Sequence, residues 1–462
     1  MRMNKTVRRM FPVLFFMFSL PAHAQDSGSS QISTIKYGTE TEIASLIQVL
    51  RNENADYLDN ELVTLVDNTR NQKILTGVFG FFGDREKSGL EERAVRALKE
   101  RDDEANETVL SAVDYLGKVK YANAAPDLME LLDTQERRFM NNAFRALGRA
   151  SSSDKELALK TAEFLVDYYE NRDPGDEFRR EMITAMGATG SSSCVPLLVS
   201  LASNTDERIP LRIAALDALS KIGDQSGLEA ILGCISTNDP NVRTAAVAAL
   251  GPFSGEEVDR AILDAFRDSF FRTRIAAAAA SRQRKLAAAV PYLKFRAERD
   301  DVPNVRDESI RALGEIAGAT SSEEAIGTLK NLFTERKNSD RVRLLSAEML
   351  MKNTGGKELT RVIVELDEAK KRNQTSLSNG FLKIIGEAKI EGDKNEMEDI
   401  TRRFLQSGNV TEKLYGLDMA ANNNFKSLSA EIKTLSADKS ESISRKARRT
   451  AERLEIDLES DN

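Results

Sequence analysis

The chain has 462 residues, with 73 acidic and 66 basic side chains, and its formal net charge is −7. An acidic surplus argues against a nucleic-acid partner, because binding to a phosphate backbone requires clustered cations. The two cysteines are too few for a four-cysteine metal site or a disulfide-dense scaffold.

The first 24 residues predict a secretory signal peptide. Four cations precede an apolar run over 11–20, and the small residues Ala22 and Ala24 favour cleavage after Ala24. An uncleaved membrane anchor is the alternative interpretation. No later segment has the ~18 consecutive apolar residues of a membrane-spanning helix. We therefore expect a soluble protein exported to the periplasm, or secreted.

Removal of residues 1–24 would change the chemistry available to the mature chain. The only histidine, His23, lies in this segment. Its loss excludes histidine-dependent nucleophile systems and histidine-ligated zinc. Four cations and no acid are also removed, so the formal net charge falls from −7 to −11. Residues 25–37, rich in Ser and Gly, predict a disordered lead, and residues 456–462 an acidic tail.

One sequence pattern recurs along most of the chain. It begins with an apolar residue, which is often followed by an arginine. A small residue comes later, and the pattern ends with Ala-Leu-Gly or a close variant, as in 242–251 and 305–314. The leucine of this pattern, or its equivalent, stands at positions 116, 147, 186, 219, 250, 281, 313 and 350. These intervals of 31 to 39 residues indicate a repeat architecture.

Each copy of the pattern is preceded by a second amphipathic stretch, such as 125–132 or 195–201. Apolar residues three and four apart predict that both stretches are helices. Turn residues separate them, so the unit is a helical hairpin that must stack on its neighbours to bury both flanks. Fainter copies occur over 61–83, 377–386, 414–421 and 443–454. The sequence therefore predicts an all-α, right-handed α-solenoid of about 11–12 hairpins over residues 38–455.

The repeated pattern resembles the HEAT-repeat family, and its short, alanine-rich units are similar to those of phycobilin lyases and of exported bacterial scaffold proteins. The resemblance implies an Asp/Arg ladder that links consecutive turns. Its arginines would be Arg212, Arg243, Arg274, Arg306 and Arg343. These arginines would then be structural and would not form a ligand-binding row.

No motif predicts a catalytic, cofactor or metal site, and we expect a protein that is not an enzyme. The glycine-rich segment 77–83 lacks the Lys-Ser/Thr pair of a phosphate-binding loop, and no Gly-x-Ser-x-Gly motif occurs. Cys194 and Cys234 are predicted to be buried and unlinked. The basic run 445–453 is interpreted as a solvated helix face, with a binding patch as the alternative.

The helices that carry the repeated pattern differ along the chain in their outward positions. In the central repeats these positions hold more small or apolar residues and fewer charged ones than in the flanking repeats. An apolar strip with a polar rim is typical of a partner-binding surface. The candidate residues are Ile213, Asp217, Thr244, Ala248, Ile275, Ala279 and Arg311. The alternative is that the alanines only allow neighbouring helices to pack closely.

These observations favour an exported, non-enzymatic scaffold or adaptor that binds a protein or peptide of the cell envelope on its concave face. One alternative is an accessory protein of lyase type that binds a small ligand. Another is a structural subunit that associates end to end with further copies. A cofactor is not expected in any of these interpretations.

Overall fold

The computed structural model describes residues 27–172, 175–391 and 394–458. Within these ranges the chain consists of α-helices and short 3-10 turns, without a β-strand. The predicted signal peptide, residues 1–24, and the last four residues of the predicted acidic tail lie outside the described residues.

The chain divides into two compact units, the first ending at Ser153 and the second beginning at Asp154. The helices of the first unit are α1 (Ser27–Tyr37), α2 (Glu40–Glu53), α3 (Asp59–Asn68), α4 (Gln72–Asp84), α5 (Glu91–Lys99), α6 (Asn106–Lys118), α7 (Ala125–Asp133) and α8 (Arg137–Ser151). Those of the second unit are α9 (Lys155–Asn171), α10 (Asp176–Thr189), α11 (Val195–Ser203), α12 (Ile209–Ile222), α13 (Leu228–Cys234), α14 (Pro240–Ala249), α15 (Glu256–Ala265), α16 (Phe271–Arg284), α17 (Val290–Arg299), α18 (Pro303–Thr320), α19 (Glu323–Thr334), α20 (Asp340–Asn353), α21 (Leu359–Lys371), α22 (Thr375–Glu387), α23 (Asn395–Leu405), α24 (Val410–Asn423), α25 (Ser429–Ser436) and α26 (Glu441–Arg453).

The packing order within each unit is that of stacked helical hairpins. Each even-numbered helix packs against the odd-numbered helix before it and against the next even-numbered helix of the same unit. We call the even-numbered helices inner and the odd-numbered helices outer. The all-α solenoid predicted from the repeats is thereby confirmed. The described helices form thirteen pairs, just above the predicted number.

The predicted disordered lead is wrong for residues 27–37, which form helix α1. Ile32 and Ile35 stand three residues apart, so they share one face of this helix. Ile35 is buried, and α1 packs against α2 and α3. The Tyr57 hydroxyl also donates a hydrogen bond to Gln31 Oε1 over 2.6 Å. Two apolar residues thus anchor a segment whose overall Ser/Gly content predicts disorder.

Local sequence signals set the helix ends. Proline occupies the first turn of six helices, where its missing N–H has no intrahelical partner to lose. The Asp239 carboxylate caps α14 by accepting from the backbone N–H groups of Asn241 and Val242. Gly190 and Gly223 end α10 and α12 in the left-handed conformation, with φ of 69° and 66°.

The recurring Ala-Leu-Gly has a packing reason. A Cβ atom added at Gly117 would lie 2.7 Å from the Cα of Ala146, the alanine of the next copy of the pattern. The same relation holds between Gly187 and Ala218, also at 2.7 Å. At these two crossings the inner helices therefore meet at small residues, and the glycine lies against the alanine of the following repeat.

Candidate partner-binding groove

The seven predicted partner-binding residues lie on four consecutive inner helices, α12 to α18, of the second unit. Asp217, Ala248 and Arg311 are exposed. Ile213, Thr244, Ile275 and Ala279 are half-buried. All seven side chains therefore retain some access to solvent, and the two isoleucines also contribute to the packing between inner helices.

Part of this set lines a groove of about 500 Å³ on inner helices α10, α12 and α14. The lining residues are Arg180, Thr184, Pro210, Ile213, Ala214, Asp217, Ser220, Ala245, Ala248 and Ala249. The structure thus brings three predicted residues together, Ile213, Asp217 and Ala248. The other four predicted residues do not line this groove.

The groove combines small apolar side chains with opposite charges. Ile213, Ala245 and Ala248 supply the apolar surface. Arg180 is exposed and has no carboxylate partner among the residues that the structure describes. The Asp217 carboxylate pairs with Lys221 at 2.7 Å, but both groups are well exposed, so this pair is weak. The groove therefore offers an apolar surface, a free guanidinium and an accessible carboxylate.

The threonines near the groove are occupied by hydrogen bonds within their own helices. The Thr184 hydroxyl donates to the Arg180 carbonyl oxygen over 2.9 Å. The Thr244 hydroxyl lies 2.7 Å from the Pro240 carbonyl oxygen and 3.0 Å from the hydroxyl of Thr273 on α16. Thr244 is thus part of the contact between α14 and α16, which limits its use for a partner.

Close packing explains two of the central alanines. Ala214 and Ala276 are only 8% and 6% exposed. Ala248, in contrast, is exposed within the groove. The close-packing interpretation therefore holds for Ala214 and Ala276, and partner binding at Ala248 stays a prediction.

The arginine ladder implied by the resemblance is present at two consecutive turns. Arg243 makes a bidentate contact with Asp268 of the next repeat, at 2.8 and 3.1 Å. Arg274 contacts Asp300 of the following repeat in the same way, at 2.8 and 2.9 Å. Each arginine also donates to two carbonyl oxygens of its own interhelical turn. Each guanidinium thus binds the carbonyl oxygens of its own turn and the aspartate of the next repeat.

These ion pairs shift the carboxylate pKa values. Burial alone would raise the pKa of Asp268, but hydrogen bonds from Arg243 and from the Phe270 backbone N–H outweigh it and hold that pKa below its usual value. Burial likewise acts to raise the pKa of Asp300, but the Arg274 guanidinium and the Val302 backbone N–H together hold that pKa below its usual value. Both acids are therefore held in the charged form.

The other three ladder arginines have different partners. Arg212 donates from Nε to the Ala202 carbonyl oxygen at 3.0 Å, and Arg343 to that of Phe333 at 2.9 Å. Arg343 also pairs with Glu365 at 2.7 Å. In the described part of the chain, the buried Nε of Arg306 has no hydrogen-bond partner. The ladder of arginine and turn aspartate is therefore local to Arg243 and Arg274.

Both cysteines are buried and free. Burial raises the pKa of the Cys194 thiol to about 11. Within residues 27–172, 175–391 and 394–458, no three His, Cys, Asp or Glu side chains are grouped so that they could hold a metal ion. Over the same ranges, no helix is both long and apolar enough to cross a membrane.

Arg180 and Thr184 line the groove but are not among the partner-binding residues predicted from the sequence. Arg180 and Thr184 stand on α10, one repeat before Ile213, at outward positions of the same frame. Their repeat has charged outward residues, and the sequence therefore predicts that it forms only the rim of the surface. Their place at outward positions of the repeated pattern is the sequence signal that could have identified them.

A second surface of a different kind lies on the outer helices. The Phe295 side chain on α17 is 51% exposed. Beside it, Tyr292 stacks on Phe266 with ring centroids 5.7 Å apart, and the Arg267 guanidinium lies 5.4 Å from the centre of the Tyr292 ring. The predicted partner-binding residues all lie on inner helices, so this aromatic surface is not among them.

Solved structures with a similar chain path are HEAT-type solenoids of low sequence identity. Yeast importin-beta is 11% identical, with a TM-score of 0.48 over 92% of this chain and 72% of that one. The karyopherin Kap121p, bound to the extreme C-terminus of the protein phosphatase Cdc14p, is 12% identical, with a TM-score of 0.44 over 92% of this chain and 53% of that one. This chain thus spans about half the length of Kap121p.

The complex of CpcE and CpcF of phycocyanin lyase from a Nostoc species is 16% identical, with a TM-score of 0.32 over 64% of this chain and 93% of that one. No curated protein sequence matches this chain. A family model described as Spirochaete HEAT repeat protein matches residues 35–450, which is most of the chain. The protein is therefore a member of the Spirochaete HEAT repeat protein family.

Proposed function

We propose that the protein is an exported, non-enzymatic scaffold of the cell envelope that binds an extended segment of a partner protein in the groove of α10, α12 and α14. The observation that carries the proposal is the groove itself, in which Ile213, Ala245 and Ala248 line the same depression as Arg180 and Asp217. Such a surface matches a peptide with small or branched apolar side chains beside groups of both charges.

The dimensions of the groove support a peptide rather than a folded domain. Sites for small molecules and side chains have volumes of about 300–1,000 Å³. A volume of about 500 Å³ can therefore take a few side chains of a partner. Burial of their apolar surface contributes ~25 cal/mol per Å². The exposed guanidinium of Arg180 would pair with a carboxylate of the same segment.

Export is part of the proposal and rests on the sequence of residues 1–24. We expect the mature chain to begin at Gln25 and to be recovered in the periplasmic fraction. The intact mass of the protein purified from that fraction measures this directly. A chain that retains Met1 and sediments with membranes would contradict the proposed location, while leaving the groove untouched.

Site-specific photocrosslinking in cells tests the binding surface. Benzoylphenylalanine placed at Ala248, which is exposed in the groove, should crosslink a discrete partner that mass spectrometry can identify. The control is the same substitution at Ala430, an exposed residue of outer helix α25. Equal crosslinking from both positions, or none from Ala248, would refute the proposed groove.

A further inference from the structure

The last helix of the solenoid, α26, has a cationic face. It packs on α24 and α25 through the buried side chains of Ile443, Ala447 and Ala451. Arg445, Arg449 and Arg453 are exposed on another side of the helix. The sequence predicts a solvated face here, with a binding patch as the alternative, and the structure places these arginines along a groove.

The three arginines form a row with a regular spacing. They are four residues apart, so they lie on one face of α26, and at 1.5 Å per residue their Cα atoms are ~6 Å apart along the axis. This row lines a groove of about 490 Å³. The remaining lining residues are Asp418, Ala421, Ser442, Lys446 and Thr450.

The cations of this groove exceed the carboxylates that neutralise them. Lys446 pairs with Asp418, and Arg445 pairs with Glu441 in an exposed contact. Arg453 Nη1 lies 3.4 Å from the neutral Asn422 side chain. Arg449 has no carboxylate partner among the described residues. Two positive charges of the groove, on Arg449 and Arg453, are thus free to bind an anion.

We propose that the groove of α24 and α26 binds an acidic segment of a partner protein in an extended conformation. Alternate residues of an extended chain point to the same side, ~6.6–6.8 Å apart, which is close to the ~6 Å spacing of the arginines. Each guanidinium can form a bidentate contact with one carboxylate. Acidic residues at alternate positions would therefore meet the free guanidinium groups of Arg449 and Arg453, and a third would meet Arg445 in exchange for its exposed contact with Glu441.

The shape of the surface favours a single polypeptide chain over a membrane. The arginines line a concavity together with Ala421 and Thr450. A narrow chain can reach the floor of such a concavity, whereas a flat lipid surface would meet only its rim. This site is separate from the groove of α10, α12 and α14 and has a different chemistry, since cations replace the small apolar residues.

Fluorescence anisotropy with a labelled peptide of alternating glutamate and serine tests the proposal on the mature full-length chain. We expect binding that weakens as salt is raised, and no binding of the analogue with glutamine in place of glutamate. The variant R445Q/R449Q/R453Q should bind the glutamate peptide about tenfold more weakly, because it removes three exposed ion pairs. Its circular dichroism should equal that of the wild type.

The matched control is R260Q/R336Q/R361Q, which removes the same charge from exposed arginines of other elements. It should bind the peptide as tightly as the wild type. An equal loss in both variants would show that only net charge matters and would overturn the proposal. Failure of the peptide to bind the wild type, or binding only to vesicles of phosphatidylglycerol through the same arginines, would also overturn it.

Discussion

Replacement of Gly187 by alanine tests the close crossing of the inner helices. The added Cβ would lie 2.7 Å from the Cα and 2.8 Å from the Cβ of Ala218, whereas ordinary contacts begin near 3.4 Å. Neither of these Ala218 atoms can rotate away, so α10 and α12 must move apart. Overpacking of this kind costs ~1–3 kcal/mol, against a gain of ~1 kcal/mol from the helix propensity of alanine. We expect G187A to lose up to ~2 kcal/mol.

Gly327→Ala is the matched control. Gly327 lies inside α19, and an added Cβ there would meet no atom within 4 Å. Only the propensity gain remains, so G327A should stabilise its helix by ~0.5–1 kcal/mol. The same Gly→Ala change should thus destabilise the protein at position 187 and stabilise it at position 327.

The assay combines urea denaturation, followed by circular dichroism, with hydrogen–deuterium exchange. The exchange measurement is needed because repeat arrays open locally. G187A should speed exchange in α10 and α12, and G327A should slow it in α19. A G187A protein that is more stable than the wild type, as G327A is expected to be, would refute the close crossing and, with it, the explanation given for the recurring glycine.

Three further predictions follow from the structure. Because the pKa values of Asp268 and Asp300 are lowered by their arginine partners, the free energy of unfolding should be level above about pH 5 and fall below about pH 4, which acid titration of stability measures. The Cys194 thiol, with a pKa near 11, should react with iodoacetamide at pH 8 only after the protein is denatured. Replacement of the half-buried Ile213 or Ile275 by serine should lower the free energy of unfolding by ~1 kcal/mol, about half the value for a fully buried isoleucine. A larger loss, measured by denaturation, would mean that both residues belong to the core.

The sequence predicted the solenoid because the fold depends on local patterns. The period of 31 to 39 residues, the apolar spacing and the turn residues all act within one hairpin. Helix α1 was missed because only Ile32 and Ile35 anchor it, and composition outweighed them in a segment rich in Ser and Gly.

The candidate site was predicted only in part, because a groove depends on how neighbouring helices are placed. The outward frame identified Ile213, Asp217 and Ala248 on α12 and α14. The same outward positions include Arg180 on α10, but the extension of the depression to that residue depends on the crossing of three helices. Similarly, the row of arginines on α26 was visible in the sequence, but the groove beside it requires the position of α24.

The central claim is tested most directly by filling the groove with a larger side chain and measuring how tightly the partner still binds. Ala248→Arg places a long side chain in the groove, and both residues favour a helix, so stability should stay within ~0.5 kcal/mol of the wild type. With the crosslinked partner purified, we predict that A248R raises the Kd at least about tenfold, whereas A430R on α25 leaves it unchanged. An A248R protein that binds its partner with the affinity of the wild type would contradict the proposed function.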